Sequence, residues 1–357
     1  MSNFPHTGSC HNRQMHITDF DYELPADLIA QRPLEERDAS RMLVLNRREQ
    51  AWSDSSFKEF TRYLRPNDVV VVNNSRVIPA RLKGNRETGG QVEIFLVREL
   101  EKQLWEALVR PGSRLKQGSR ISFREGRLIA EILDHPGAEL RRVRFHCEGS
   151  FDELLAEIGS TPLPPYIKRS FGASAEDRER YQTVYSKHRG AIAAPTAGLH
   201  FTPDVLAEVT RNASLAEITL HVGYGTFEPV RVDDVTEYSV SGEHFEISEP
   251  AARTINNART NGGRIIVVGT TTMRALESAA TANGKVEPGS GEATLTIKPG
   301  HQFQIANALL TNFHLPRSSL LILVSAFAGR ELILRAYHHA VEERYRFYSY
   351  GDCMLIL

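Results

Sequence analysis

Cysteine is scarce in this chain. Cys10, Cys147 and Cys353 are the only three in 357 residues, and they form no Cys-x-x-Cys or Cys/His cluster at zinc spacing. Neither a disulfide framework nor a structural metal is indicated. Long apolar runs are missing too. The longest, residues 320–328 interrupted by Ser325, is about half of the roughly 18 residues that a membrane span needs. Residues 1–14 are polar and lack the apolar centre of a signal peptide, so they read as a disordered extension of a cytoplasmic protein. There is no internal repeat and no low-complexity tract. Net charge is almost nil, at −1, while 41% of residues are hydrophobic and 24% charged. Such a chain buries a sizeable core, is long enough for two domains, and reads as a globular, monomeric enzyme-sized protein.

The near-neutral total hides an asymmetry. Residues 76–148 hold 15 Lys+Arg against 10 Asp+Glu, leaving 28 against 34 elsewhere. Arg110, Arg114, Lys116, Arg120 and Arg124 follow one another with no acid between Glu106 and Glu125. That stretch can neutralise phosphates, although taken by itself it reads first as a solvated basic face.

The periodicity divides the chain in the same place. The β-branched run Val69-Val70-Val71-Val72 predicts a strand covered on both faces. Before it, the pattern predicts a short helix over 24–31 opened by Pro25, a strand over 41–45 and a helix over 57–64 with Phe57, Phe60 and Leu64 on one face. Six short strands follow, over 81–84, 91–98, 104–110, 120–123, 128–133 and 140–145, punctuated by Gly and Pro turns. Close spacing of this kind predicts a small barrel. Helical periodicity returns at 151–158, and a Pro-rich connector occupies 161–166. Thr202-Pro203-Asp204 then caps a helix to Arg211, followed by strands over 217–222 and 264–268 and a helix over 274–282. The end holds the buried segment 320–328 and an amphipathic helix over 330–344. The expected fold is an α/β main domain, discontinuous over 15–76 and 150–357, with an inserted six-stranded β-barrel over 77–149.

Chemistry concentrates in loops. Ala193-Ala194-Pro195-Thr196-Ala197-Gly198-Leu199-His200-Phe201 and Leu220-His221-Val222-Gly223-Tyr224-Gly225-Thr226-Phe227 each place a histidine beside glycines at the edge of a periodic element. Gly223, Gly225 and Thr226 match neither the dinucleotide fingerprint nor a P-loop. Alternation in Ile218-Thr219-Leu220-His221-Val222 sends Ile218, Leu220 and Val222 to the core and frees His221 for a cleft. His200, just before the Thr202 cap, lies near the positive end of a helix, which disfavours the imidazolium and leaves a neutral base. A hydrogen-bonded structural ring is the alternative for both. Gly269-Thr270-Thr271-Thr272 joins a buried strand to a helix and, with Arg274, forms an anion site or merely a helix cap. Asn73, Asn74 and Arg76 follow the Val69 strand, where α/β sheets hold ligands, and either read a base or ribose or form a turn at the domain junction. In Tyr345-Arg346-Phe347-Tyr348-Ser349-Tyr350-Gly351-Asp352, the aromatics suit a core as well as base stacking, and Asp352 is the member singled out.

These motifs occur in one order with Asn73-Asn74-Ser75-Arg76-Val77-Ile78-Pro79-Ala80-Arg81, Pro162-Leu163-Pro164-Pro165-Tyr166-Ile167, Tyr181-Gln182-Thr183-Val184-Tyr185-Ser186 and Thr311-Asn312-Phe313-His314-Leu315-Pro316. The ordered set resembles the S-adenosylmethionine:tRNA ribosyltransferase-isomerase family of queuosine biosynthesis, from about Ile17 to the C-terminus. The resemblance implies transfer of the ribosyl part of S-adenosylmethionine, a co-substrate, to 7-aminomethyl-7-deazaguanine at the tRNA wobble position. The ribosyl group is isomerised to the epoxycyclopentane of epoxyqueuosine, and adenine and methionine leave. The sulfonium acidifies the C5′ protons, so one side-chain base starts the sequence without a metal.

Residue type and position, rather than the resemblance, assign the roles: His200 or His221 as base, with Glu243 and Asp352 next in line; Asp352 as partner of the amine; and Thr271 with Arg274 as anion anchor. Thr270, Thr272, Gly223, Gly225 and Thr226 complete the cofactor loops. Asn73, Asn74, Arg76, Arg110, Arg114, Lys116 and Arg120 are the expected tRNA contacts. Two positions depart from the family pattern. Val240-Ser241-Gly242-Glu243 stands where relatives carry Met-His shortly before the glutamate, and Tyr224 stands where a small residue is common. The rival readings are an S-adenosylmethionine-dependent methyltransferase, whose Gly-x-Gly-x-Gly loop after the first long strand is missing, and a noncatalytic tRNA-binding protein.

Overall fold

The computed structural model describes residues 15–112, 115–134, 139–170, 172–223, 225 and 230–357. The expected extension over 1–14 lies outside the described residues, as do Arg114, Tyr224 and Thr226. Strands β1 (Arg41–Asn46), β2 (Ala51–Ser56) and β3 (Val69–Asn73) come first, and β4 (Ser75–Val77) leads away from the end of β3. Then follow β5 (Arg81–Arg86), β6 (Gln91–Glu101), β7 (Leu104–Arg110), β8 (Arg120–Phe123), β9 (Leu128–Ile132) and β10 (Arg141–Cys147). These six close into an antiparallel barrel in the order β10-β7-β6-β5-β8-β9. The expected barrel is therefore present.

The chain continues through α1 (Phe151–Ile158), α2 (Ala175–Arg180), β11 (His188–Ala191), α3 (Pro203–Asn212), β12 (Ser214–Leu220), β13 (His244–Ile247) and α4 (Glu249–Thr260). It ends with β14 (Ile265–Val268), α5 (Thr270–Ser278), β15 (Gly289–Glu292), β16 (Ala308–Asn312), α6 (Ser319–Ala328), α7 (Arg330–Glu342) and β17 (Cys353–Ile356). The main sheet has nine strands in the order β15-β13-β12-β3-β14-β16-β17-β1-β2, with β12, β3, β14 and β16 parallel. β3 sits inside it and uses its branched side chains on both faces: Val69 and Val71 join one apolar cluster, Val70 and Val72 the other.

The barrel does not close its core alone. Ile78 and Ile192, together with Phe151, Leu154 and Leu155 of α1, belong to the same cluster as the barrel's inward residues. β4, which leads from the main sheet towards the barrel, pairs in parallel with β11 in a two-stranded sheet of its own.

Some local expectations are corrected. The predicted helix over 24–31 is only a 3-10 turn, Ala26–Leu28. Ile29 instead forms a parallel bridge with Phe347, and Phe347 donates its N–H to the Leu28 carbonyl, so the C-terminal loop captures the segment as extended chain. The predicted helix over 57–64 is a 3-10 helix, Phe57–Tyr63, whose i,i+3 repeat suits the fully buried Phe57 and Phe60, while Leu64 is only half-buried. β12 ends at Leu220, leaving His221 and Val222 just beyond it. α5 begins one turn earlier than predicted, because Gly269 at φ 90° lets the chain leave β14 and enter the helix at once.

Candidate active site

A cavity of about 220 Å³ opens beyond the carboxyl ends of β14 and β16, the place where open α/β sheets hold ligands. Segments far apart in sequence converge on it. Pro165, Tyr166, Tyr181, Val222, Gly269, Thr271, His314, Tyr348, Ser349 and residues 193–197 form its walls. Every motif quoted for the family resemblance contributes except 73–81. The rings of Tyr166 and Tyr348 lie 4.1 Å apart, and the Tyr166 hydroxyl meets Ser349 Oγ at 2.7 Å.

The three threonines do different work. Thr272 turns its hydroxyl back to the Val268 carbonyl at 2.6 Å. Thr271 Oγ1 is buried without a protein partner and belongs to the cavity wall, as does the orphaned hydroxyl of Tyr348. The first amides of α5 also have no intrahelical acceptor. Orphan donors around a mostly apolar space fit a ligand with a few polar groups, including an anion at the helix start. Arg274 is not in the first turn. It is buried, its Nη1 donates to Glu243 Oε2 at 2.5 Å, and its Nη2 donates to the carbonyls of Ala293 at 2.6 Å and Ser241 at 3.2 Å. The other Glu243 oxygen accepts the Gly223 N–H at 2.9 Å, so the Glu243–Arg274 pair fixes the glycine loop.

The histidines part company. His200 is 3% exposed, with Nδ1 3.0 Å from Ser40 Oγ and Nε2 3.1 Å from Asn312 Oδ1. Burial, rather than the start of α3, pushes its pKa down to about 4. His221 lines an open groove of about 980 Å³ between barrel and main sheet. Its Nδ1 has no partner, its ring stacks at 6.3 Å on His244, and Gly190 at φ 145° makes room for it. Burial and then the neighbouring His244 lower its pKa. His314, which sequence reasoning quoted within a motif but gave no role, is the imidazole of the cavity. Its Nε2 meets Thr311 Oγ1 at 2.9 Å, and burial pushes its pKa down to about 3. Tyr166 likewise stands in a motif without an assigned role, while Tyr348 belongs to the aromatic stretch that suits a core or base stacking.

The remaining candidates are placed elsewhere. Asp352 is buried outside the cavity wall, its two oxygens accepting the backbone N–H groups of Arg41 at 2.9 Å and Arg346 at 2.8 Å. Burial raises its pKa. Asn73 exchanges hydrogen bonds with both backbone groups of Leu220, and Asn74 meets Glu217 and Thr219, so both tie β3 to β12. Arg76 is exposed on β4. Gly225 packs beside Ser241. The basic run is split, because β7 and β8 are three places apart around a ring of six strands. Arg110 at the end of β7 and Arg120 at the start of β8 thus stand on opposite sides of the barrel, and Arg124 pairs at 2.9 Å with Glu157, a carboxylate that it shares with Arg127.

Known proteins carry the same pattern. A relative from Desulforamulus reducens, named S-adenosylmethionine:tRNA ribosyltransferase-isomerase, is 48% identical over 96% of this chain and 100% of its own. One of the same name from Symbiobacterium thermophilum is 49% identical over the same shares. The crystal structure of an S-adenosylmethionine tRNA ribosyltransferase from Thermotoga maritima matches with a TM-score of 0.54 and 37% identity, covering 95% of this chain and 100% of that one. The family model described as queuosine biosynthesis protein matches residues 17–356, and the chain belongs to that family.

Proposed function

We propose that this enzyme transfers the ribosyl part of S-adenosylmethionine to 7-aminomethyl-7-deazaguanine at the wobble position of tRNA and isomerises it to epoxyqueuosine, releasing adenine and methionine. The supporting observation is the convergence of the family's scattered motifs on one cavity at the strand ends. S-adenosylmethionine is assigned to that cavity. Its carboxylate sits at the start of α5 on Thr271 Oγ1 and the free amides, without Arg274, whose guanidinium is spent on Glu243 and carbonyls. The aromatic pair Tyr166 and Tyr348 offers faces for a purine.

Of the two histidines nominated from sequence, His221 takes the role of base. It lines the groove that adjoins the cavity at Val222, so C5′ reaches it by extending past Val222, whereas both nitrogens of His200 are engaged. Its lowered pKa keeps it unprotonated at neutral pH, as proton removal from C5′ requires. His314, neutral and hydrogen-bonded to Thr311, serves the departing adenine as a hydrogen-bond donor through its other ring nitrogen. Asp352 holds the loop that presents Tyr348 and Ser349, a positioning role in place of the amine partner expected from sequence.

The test is incubation with S-adenosylmethionine and tRNA carrying the deazaguanine precursor, followed by mass analysis of the nucleoside and of released adenine. Epoxyqueuosine with one equivalent of adenine is the expected result. A methylated nucleoside would instead establish the methyltransferase, and binding without product would establish a noncatalytic tRNA-binding protein.

A further inference from the structure

Two grooves between the barrel and the main domain differ in charge among the described residues. The one holding His221 is lined by two arginines and five glutamates. The other, of about 730 Å³, is lined by five lysines and arginines and one carboxylate, Glu93. Strand register explains this. Lys83 of β5 lies opposite Glu93 of β6, and Glu93 lies opposite Arg110 of β7, so the three form one row across adjacent strands. The next outward row is Arg81, Phe95 and Leu108. The alternate residues Leu82, Ile94 and Val109 point into the barrel core.

Cations therefore flank an aromatic on the outer surface of a barrel sheet, with the Arg81 guanidinium 5.6 Å from the Phe95 centroid. Arg81 is paired with Glu93 at 3.7 Å, but Lys83, Arg110 and, across the groove, Lys168 have no carboxylate partner among the described residues. Lys83 and Arg110 are two strand spacings apart, about 10 Å. Pro165 is a wall of this groove and also of the cavity, so a chain lying in the groove reaches the cavity mouth.

We propose that this groove binds the unpaired RNA nucleotides next to the wobble position, with phosphates on Lys83, Arg110 and Lys168 and a base against Phe95. Charged grooves with an aromatic platform hold single strands in this way. The turn bearing Lys116 and Arg120, on the far side of the barrel, stays outside the contact. The proposal rests on the reading of tRNA as substrate.

The experiment measures affinity of the full-length protein for an anticodon stem-loop RNA carrying the deazaguanine precursor, across a salt series, with S-adenosylmethionine affinity as a check of the fold. The triple variant Lys83→Ala, Arg110→Ala, Lys168→Ala should bind RNA at least about tenfold more weakly and flatten the log–log salt slope by about 2. Phe95→Ala should weaken binding roughly 5- to 100-fold at an unchanged slope. Lys116→Ala with Arg120→Ala should change neither. If the triple variant keeps the parental slope, or the Lys116/Arg120 variant loses it, the RNA lies elsewhere and the proposal fails while the substrate reading stands. Parental protein that binds S-adenosylmethionine but not the RNA removes the substrate reading itself, and the groove assignment with it.

Discussion

Val222 lines the cavity and its neighbour His221 the groove, so one peptide divides two compartments of opposite character. The cavity is walled by rings, small side chains and hydroxyls, and burial alone pushes its histidine, His314, down to about 3. The groove gathers carboxylates, arginines and two stacked imidazoles. In the first, recognition proceeds through hydrogen bonds made away from water, where each orphan donor matters. In the second, charge and proton transfer are available. The reaction proposed needs both, a sheltered place for the departing base and a titratable group at its edge.

Substitutions at four positions sharpen or break that contrast. The largest effect is expected at Glu243→Ala, which leaves the Arg274 guanidinium buried and uncompensated beside the glycine loop. A stability loss of about 3–5 kcal/mol should appear in urea unfolding; a loss under about 1 kcal/mol would mean that the pair does not hold the partition. His221→Ala comes next. Turnover should fall roughly a hundredfold with S-adenosylmethionine still bound, and solvent exchange at C5′ should vanish.

His200→Ala should do the reverse, lowering stability and leaving the chemical step near the parental rate. Its pH signature has a definite sign. The folded pKa is about 4 against about 6.5 unfolded, so unfolding takes up a proton between those values. This contribution is complete above pH about 6.5 and is lost as pH falls toward about 4. His200→Asn should flatten that acid limb; an unchanged limb would place the buried titration elsewhere. The smallest effect is expected at Thr271→Val, which removes one hydroxyl from the cavity. The Kd for S-adenosylmethionine should rise about tenfold with kcat little altered, and an unaltered Kd would withdraw Thr271 from the site.

Local patterns foretold the scaffold where the physics is local. The valine run of β3, the Gly and Pro turns of the barrel and the apolar segment that became α6 were all legible, because each records burial or backbone conformation in adjacent residues. The segment after Pro25 was misread because its partner, Phe347, lies more than 300 positions away. The same distance problem governed the site. Alternation placed His221 correctly on the side opposite Val222, but nothing near His200 announces Ser40 or Asn312, which close its ring. Asp352 stands out in sequence as the one carboxylate of an aromatic stretch, whereas Tyr348 and Ser349 face the cavity. Burial of the acid against two backbone amides is a tertiary fact with no trace in spacing.

The shared apolar cluster beneath the barrel has an implication for modularity. Since α1 and Ile192 complete the barrel's interior, and β11 pairs with β4 at its base, the insertion is not a detachable cassette. Excising it at its sequence boundaries would strip neighbours from Phe151, Leu154 and Ile192 and remove Val77, the β4 partner of Ala191. Barrel and sheet are thus expected to melt in one transition, and a lineage could exchange this module for another only by rebuilding the seam on both sides.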